Sequence, residues 1–342
     1  MVAERKGLKA RAINAYLARR DEVIVPRERL YEWQLNPPIL EPAHNPSRLS
    51  EDARKYLAPD NPRLGDLKAR YAKCDPDVIT PLEWREGHVR TQDIAYFRGD
   101  NAYLWQVRGK NCNILSYALA TYYVKSIDKH SLLETLVEDN VFGNFTFEIA
   151  GHVISRDLLD SIIEINFLDR HLGFMSRQDV TLLDIGAGYG RLAYRASAAV
   201  PGLRKYLCAD AVPYSTFISE FYLRYRNALE KTQVIALDEF EQVLADTKID
   251  IAVNIHSFSE CRLEAIEWWI SRLARAETKY LMIAPNAVQA GGMILLTNDG
   301  NEFLPIINKY GYQLLISEPK YLDPIIQEYA VESTFYYLFE LR

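Results

Sequence analysis

The fold is decided by residues 182–190, which read Leu-Leu-Asp-Ile-Gly-Ala-Gly-Tyr-Gly. An apolar run leads into this stretch, and a helical pattern follows it over residues 191–199. Gly186, Gly188 and Gly190 alternate with other residues, and glycine lets a backbone turn sharply and approach a ligand closely. The helix that follows presents free N–H groups and the positive end of its dipole. The stretch therefore predicts a strand, a ligand-binding glycine loop and a helix.

The spacing of this loop disfavours a dinucleotide. The glycines follow the pattern GxGxG rather than the GxGxxG that holds a pyrophosphate. Asp184 lies two residues before Gly186. A carboxylate at that place repels phosphate and suits a ligand with an ammonium group, bound directly or through water.

Outward from the loop, strand-like and helical segments alternate along the second half of the chain. The predicted strands are 180–185, 205–209, 233–237, 249–255 and 280–284, and the predicted helices are 191–199, 215–229, 239–244 and 262–276. This alternation predicts an α/β fold, a parallel sheet with helices on both faces. Two further strands, 312–317 and 334–341, have no clear helix between them and predict a hairpin-like pair with an antiparallel final strand.

Two more acids follow the next predicted strands. Asp210 ends the second strand, and an acid there can accept hydrogen bonds from two ribose hydroxyls. Asp238 follows the third strand and is placed to accept from an adenine amino group. With the glycine loop, these acids predict a nucleoside ligand. The alternative is a tight glycine turn with ordinary helix-capping acids.

Composition narrows the class of protein. The chain has 342 residues, 49% of them hydrophobic and 25% charged, which excludes wholesale disorder. The net charge of −6 disfavours binding to nucleic acid, and no apolar run is long enough for a membrane span. The four cysteines lie far apart without metal-ligand spacing. We therefore expect reduced thiols in a cytoplasmic protein without a metal.

Several blocks of sequence carry a family resemblance. They are Asn61-Pro62-Arg63-Leu64 with Tyr71, Trp84, Phe142-Gly143, residues 155–161, residues 164–168 and residues 254–260. With the glycine loop, they resemble class I S-adenosylmethionine-dependent methyltransferases and, more narrowly, the bacterial sugar O-methyltransferase family.

The resemblance implies a Rossmann-like sheet of seven strands, the last antiparallel, with S-adenosylmethionine as the cofactor. It matches Asp184, Gly186, Gly188 and Gly190 to the first cofactor motif, Asp210 to the ribose acid and Asp238 to the adenine-side acid. Asn254, which opens the block 254–260, is also placed in the cofactor site. The domain division that follows is an N-terminal helix and Pro-rich arm over 1–60, a mostly helical acceptor-binding or lid domain over 61–175, and the methyltransferase domain over 176–342.

The expected reaction is methyl transfer to a hydroxyl of a sugar or glycosylated metabolite. A sugar hydroxyl is a weak nucleophile, so a general base is expected. His256 follows the fourth strand, where ligands of open α/β sheets bind, and is the first choice for the base. Glu260 is expected to orient its imidazole or to act as the base itself. The alternative is that His256 packs on the cofactor or caps the next helix.

Acceptor contacts are expected from Arg98 and from a helix that presents Asp157, Asp160 and Glu164 on one face. Acids on a helix are also typical of a solvated surface. Rival functions are methylation of a phenolic or polyketide-type hydroxyl, a non-catalytic cofactor-binding protein and, against the acidic charge, a nucleic-acid methyltransferase. The expected partner is a small-molecule acceptor, and the sequence leaves a homo-oligomer open.

Overall fold

The structure is a computed structural model that describes residues 13, 16–17, 19–20, 27–28, 49–84, 87–101, 103, 106 and 113–342. Most of the predicted N-terminal helix and of the predicted Pro-rich arm lies outside the described residues.

A seven-stranded sheet forms the centre of the second half. Its strands are β3 (Val180–Ile185), β4 (Leu203–Ala209), β5 (Thr232–Ile235), β6 (Ile251–Ile255), β7 (Tyr280–Ala284), β8 (Tyr312–Pro319) and β9 (Phe335–Leu341). They lie in the order β5-β4-β3-β6-β7-β9-β8, and β9 is antiparallel to both of its neighbours. The predicted α/β fold with an antiparallel last strand is confirmed. Counted from β3, the first five strands have the order 3-2-1-4-5 of a doubly wound sheet.

Helices cover both faces of this sheet, as the alternation predicts. They are α7 (Arg191–Ala199), α8 (Pro213–Tyr225), α9 (Phe240–Asp246), α10 (Leu263–Arg275), α11 (Leu304–Lys309) and α12 (Pro324–Tyr329). The prediction of no helix between the last two strands is wrong. Asp323 caps α12 by accepting from the backbone N–H groups of Ile325 and Ile326, and Pro324 occupies the first turn, where a missing N–H costs nothing.

The part before the sheet is mostly helical. It contains α1 (Glu51–Tyr56), α2 (Pro62–Tyr71), α3 (Pro76–Ile79), α4 (Ile114–Ile127), α5 (Leu132–Thr135) and α6 (Arg156–Leu172). A short antiparallel hairpin, β1 (Phe147–Ile149) and β2 (His152–Ile154), was not expected from the helical pattern. Three-residue strands are too short to show a period of two in the sequence.

Helix α6 joins the two parts. Ser155 caps its N-terminus, and Gly173 ends it in the left-handed conformation with φ +66°. Thirteen of its 17 residues are buried, including Asp157, Asp160 and Glu164. The acids of this helix are therefore not a solvated face. Buried apolar residues on both sides of residue 175 belong to one continuous core, and the predicted domain boundaries remain predictions.

Candidate functional site

A cleft lies at the carboxyl ends of the parallel strands β3, β4 and β6, where an open α/β sheet binds its ligands. Its floor is the glycine loop between β3 and α7. Its walls come from the ends of β4 and β6, from α6 and from the segment after α3. The residues that line it include Trp84, Tyr103, Arg156, Asp160, Asp184, Gly186, Gly188, Arg191, Asp210, His256 and Glu260.

The three glycines of the loop share a left-handed backbone conformation, and Gly186 and Gly188 are needed for different reasons. All have positive φ, +73° at Gly186, +57° at Gly188 and +84° at Gly190. A Cβ on Gly186 would lie 2.0 Å from Ser257 Oγ, so the missing side chain lets the loop pack against the turn after β6. A Cβ on Gly188 would meet nothing within 4 Å. Gly188 thus leaves open space on the ligand side of the loop.

Asp210 ties the end of β4 to this loop. The Gly188 N–H donates to Asp210 Oδ2 at 3.0 Å, and the Val212 N–H donates to Oδ1 at 2.8 Å. Burial raises the pKa of Asp210 to about 7, although both N–H bonds favour the ionised form. Each carboxylate oxygen keeps acceptor capacity after one such bond. Asp210 can therefore still accept from a ligand in the cleft.

Asp184 is the second buried carboxyl of the cleft. It is 4% exposed, and Tyr206 on the neighbouring strand β4 donates its hydroxyl to Oδ2 at 2.9 Å. Burial raises the pKa of Asp184 to about 7, against the effect of the Tyr206 bond. Two carboxyl groups whose pKa is raised to about 7 thus lie at the same edge of the sheet.

Asn254 supports the loop from within the fold. Its Nδ2 donates to the Ile185 carbonyl at 2.8 Å and to Ser257 Oγ at 2.6 Å, while Oδ1 accepts from the Phe258 N–H at 3.0 Å. The side chain is fully buried. These bonds make Asn254 a positioning residue for the turn after β6, with no polar atom turned to the cleft.

His256 occupies a strained position at the end of β6. Its φ of 68° and ψ of −32° are unusual for a residue with a side chain, and its N–H donates to the Ala284 carbonyl at 2.7 Å. The ring Nδ1 lies 3.3 Å from the Pro285 carbonyl, which can only accept, so Nδ1 carries the proton and Nε2 is left as the acceptor. Burial and the nearby guanidinium of Arg156 lower the pKa of His256 to about 3.

Glu260 does not reach His256. Its carboxylate accepts from Trp84 Nε1 at 2.6 Å and from Asn286 Nδ2 at 3.2 Å. The carboxyl that does approach the imidazole belongs to Glu332, 3.9 Å from Nε2. Glu260 instead ties the segment after α3 to the turn after β6, and burial raises the pKa of its carboxyl.

Charged pairs form the wall beside His256. Asp160 accepts from Lys320 Nζ at 2.6 Å and from Arg156 Nε at 3.2 Å. The cations outweigh burial and hold the pKa of Asp160 well below its usual range. Glu164 forms a two-bond pair with Arg191, at 2.8 and 2.9 Å. This wall therefore offers guanidinium groups and a carboxylate that stays ionised at neutral pH.

Six predicted site residues do not line the cleft, namely Arg98, Asp157, Glu164, Gly190, Asp238 and Asn254. Asp238 pairs with Arg70 through two bonds of 2.6 and 2.8 Å on the outer surface, and its side chain is 37% exposed. Arg98 is completely buried and donates to Asp157. Neither Arg98 nor Asp157 lines the cleft, because their charges are used to balance each other inside the protein.

Several cleft residues had no predicted role. Trp84 and Tyr103 lie on the N-terminal side of the chain, with ring centroids 5.2 Å apart. Arg156 and Arg191 line the opposite end, and Glu332 comes from the segment between α12 and β9. Trp84 and Arg156 fall in blocks that carry the family resemblance, but nothing in one sequence shows that a residue near the C-terminus approaches His256.

Within the described part of the chain, no three His, Cys, Asp or Glu side chains come together as metal ligands. The helices of that same part include none long and apolar enough to cross a bilayer.

Comparison with protein-family models and with curated proteins gives no match. Solved structures with a similar fold include a SAM-dependent methyltransferase from Aquifex aeolicus, 14% identical, with 65% of this chain and 98% of that chain covered and a TM-score of 0.40. Magnesium protoporphyrin IX methyltransferase from Synechocystis, solved with bound SAM, is 12% identical over 66% of this chain and 97% of that chain, with a TM-score of 0.37. Mitomycin 7-O-methyltransferase is 16% identical over 53% of this chain and 52% of that chain, with a TM-score of 0.38. At these values, neither activity nor substrate carries over to this chain.

Proposed function

We propose that the chain is an S-adenosylmethionine-dependent methyltransferase that acts on a hydroxyl of a small molecule. One observation carries the proposal. The Gly188 N–H holds the carboxylate of Asp210 at 3.0 Å, while the space above Gly188 stays open. This arrangement supports a ligand whose ribose hydroxyls bond Asp210 while the rest of the molecule crosses the glycine loop.

The end of the cleft beside Asp210 suits the nucleoside part of this cofactor. Trp84 and Tyr103 provide aromatic surface there, and aromatic faces pack well against a purine. Glu260 is a further acceptor near Asp210, close enough to raise its pKa. Contacts with Trp84 and Tyr103 are therefore proposed for the adenosine, in place of a contact with Asp238.

The other end suits an amino-acid group. Asp184 offers a partner for an ammonium group, and the guanidinium group of Arg191 offers a partner for a carboxylate. A pyrophosphate at the loop would instead face the carboxyls of Asp184 and Asp210. The charge pattern supports the methionine part of S-adenosylmethionine over a dinucleotide.

The chemistry follows from what the cleft residues do. When bound, S-adenosylmethionine supplies a methyl group activated by its sulfonium. The protein aligns the acceptor oxygen and excludes water. His256 is proposed as the general base, because Nδ1 lies against the Pro285 carbonyl and Nε2 is left as the ring nitrogen that can accept the proton of the acceptor hydroxyl.

A sugar or glycoside is the proposed acceptor. The wall beside His256 is lined by Arg156 and Asp160, which can bond several hydroxyls at once. A flat phenolic or polyketide-type acceptor has fewer hydroxyl groups with which to form hydrogen bonds to these side chains. The phenolic acceptor is therefore the second choice.

Calorimetry with S-adenosylhomocysteine tests the cofactor. Asp210→Asn should weaken binding by about 1.5–3 kcal/mol, the scale of a hydrogen bond to a charged group. Asp238→Asn is the matched control, since it makes the same change outside the cleft, and should leave the affinity unchanged. Wild-type protein that ignores S-adenosylhomocysteine and binds NAD would overturn the proposal.

Transfer of a labelled methyl group tests the acceptor. Hexoses, uronic acids and glycosides should be labelled in preference to phenols of similar size. Preferential labelling of phenols would replace the sugar by the second choice. Cofactor binding with no turnover on any acceptor would favour a non-catalytic binding protein.

A further inference from the structure

The glycine loop needs an anchor that its glycines cannot supply. Gly186, Gly188 and Gly190 all have positive φ, and glycine loses more backbone freedom on folding than any other residue. Between Gly186 and Gly190, only Ala187 and Tyr189 carry side chains. Tyr189 is the one long enough to reach out of the loop into the body of the protein.

The side chain of Tyr189 is buried among aromatic rings. The residue is 3% exposed, and its ring lies 5.1 Å from that of Phe97 and 5.3 Å from that of Tyr222. Its hydroxyl donates a short hydrogen bond to Asp157 Oδ2. The loop is thus attached to the first turn of α6.

Asp157 is itself held in place by the N-terminal part of the chain. Arg98 Nε donates to the same oxygen, Oδ2, at 2.9 Å. Arg98 is completely buried and also pairs with Glu138 at 2.6 Å and with Asp139 at 2.8 Å. Oδ1 of Asp157 has no hydrogen-bond partner among the described residues. The hydroxyl of Tyr189 and the guanidinium of Arg98 therefore account for the hydrogen bonds seen at the Asp157 carboxylate.

We infer that Tyr189 is a positioning residue, and that the chain Arg98–Asp157–Tyr189 holds the glycine loop in the conformation that binds the ligand. The sequence suggested Arg98 and Asp157 as acceptor contacts, but they act from behind the loop. This role in holding the loop conformation does not depend on which ligand the cleft binds. The effect on cofactor affinity rests on the proposed function.

Hydrogen exchange of the ligand-free, full-length protein tests the inference through Tyr189→Phe. This change removes one oxygen and keeps the ring. Peptides that cover residues 184–191 should exchange about tenfold faster than in the wild type, because a bond to a charged group is lost. Tyr312→Phe is the matched control, since Tyr312 is also buried and donates its hydroxyl at 2.7 Å to the Thr278 carbonyl, far from the loop along the sheet.

The control should leave exchange of residues 184–191 unchanged, even if both variants lower the melting temperature equally. Unchanged exchange of this segment in Tyr189→Phe would overturn the inference. In calorimetry, Tyr189→Phe should also raise the Kd for S-adenosylhomocysteine about tenfold, while kcat at saturating cofactor stays near the wild-type value. If the wild type does not bind S-adenosylhomocysteine, the proposed function fails, and the exchange experiment still decides the role of Tyr189.

Discussion

At the scale of single residues, the neighbours of His256 determine its chemistry. The Pro285 carbonyl selects the ring tautomer, and burial with the charge of Arg156 keeps the ring neutral far below its ordinary pKa. The lowered pKa means that the ring is neutral at physiological pH and that it holds a proton less tightly than a free histidine does. The expected pH dependence of a base at this position therefore differs from that of a free histidine.

His256→Ala should lower kcat by about 10²–10⁴-fold with little change in cofactor affinity, because a positioned base contributes that factor. As pH falls, kcat should not decrease around the ordinary histidine pKa of about 6.5, because the pKa of His256 is lowered to about 3. Steady-state rates at several pH values provide the measurement. His152→Ala, on the β1–β2 hairpin, is the control and should keep full activity. Near-normal kcat in His256→Ala would remove His256 as the base.

Asp184 and Asp210 should make cofactor binding depend on pH. The pKa of each is raised to about 7, so both are largely protonated below pH 7 in the free protein. A folded pKa above the unfolded value of about 4 means that their contribution to stability is lost as pH rises toward 7. A cationic ligand favours the ionised carboxyls.

The affinity for S-adenosylhomocysteine or S-adenosylmethionine should therefore rise as pH increases from 5.5 to about 7, and then level off. Calorimetry across this range is the measurement. Asp210→Asn should flatten the dependence, because it removes one of the two titrating groups. An affinity that falls as pH rises would contradict the assignment of these carboxyls to a cationic ligand.

At the scale of the element, the loop between β3 and α7 contains glycines that are needed for two different reasons. Gly186 is required by the turn after β6, which would clash with any side chain. Gly188 is required by the ligand, because its missing Cβ leaves the cleft open. The two positions should respond differently to the same substitution.

Gly188→Ala should fold with a loss of about 1–2 kcal/mol for a side chain in the left-handed region, and should lose most of its cofactor affinity. Gly151→Ala in the β1–β2 turn is the matched control, with φ +79° and open space around its Cβ. Denaturant melts and calorimetry should show a similar stability cost in the two variants, with affinity lost only in Gly188→Ala. Unchanged affinity in Gly188→Ala would mean that the ligand does not cross the loop.

At the scale of the whole molecule, a buried charge cluster joins the helical part to the sheet. Glu138 is completely buried and accepts from Arg98 at 2.6 Å and from Arg195 on α7 at 2.9 Å. Burial opposes ionisation of Glu138, but the two guanidinium groups outweigh it and lower the pKa. Arg226, just after α8, pairs with Asp139 at 2.6 Å. Carboxylates of the helical part are therefore paired with arginines of the sheet part.

Glu138→Gln should destabilise the protein by about 3–5 kcal/mol, the cost of leaving a buried charge without its partner. Urea unfolding is the measurement. Glu51→Gln is the control, because it breaks an exposed pair with Lys55 and should change the unfolding midpoint little. A small effect in Glu138→Gln would show that the two parts are held together by apolar packing alone.

Much of the sheet could be predicted because its signals are local. Short apolar runs that alternate with helical segments place β3 to β7 within two residues of their observed bounds, and the glycine pattern predicts the loop after β3. The helix α12 could not be predicted with the same ease, since six residues hold too few turns for a periodic pattern.

The candidate site was predicted less completely. Residues at strand ends, such as Asp184, Asp210 and His256, could be placed because parallel strands end at one edge of the sheet. Asn254 could be placed near the loop. The hydrogen bonds that its side-chain amide donates to Ile185 and Ser257 depend on the packing of two separate strands and could not be predicted. Asp238 and Arg70 are 168 residues apart, and their pairing has no trace in local sequence.

The sequence alone determined the α/β fold, the glycine loop and the row of polar residues at the strand ends, because periodicity and glycine chemistry act over a few neighbouring residues. Only the tertiary structure decided which charges face the cleft and which are buried in pairs. The physical reason is that burying a charge is tolerated only beside an opposite charge, and those partners come from distant parts of the chain. Arg98 and Asp157 show the difference. Their residue types suggested contacts with the acceptor, but in the fold they pair with each other, and Asp157 accepts from the Tyr189 hydroxyl of the glycine loop.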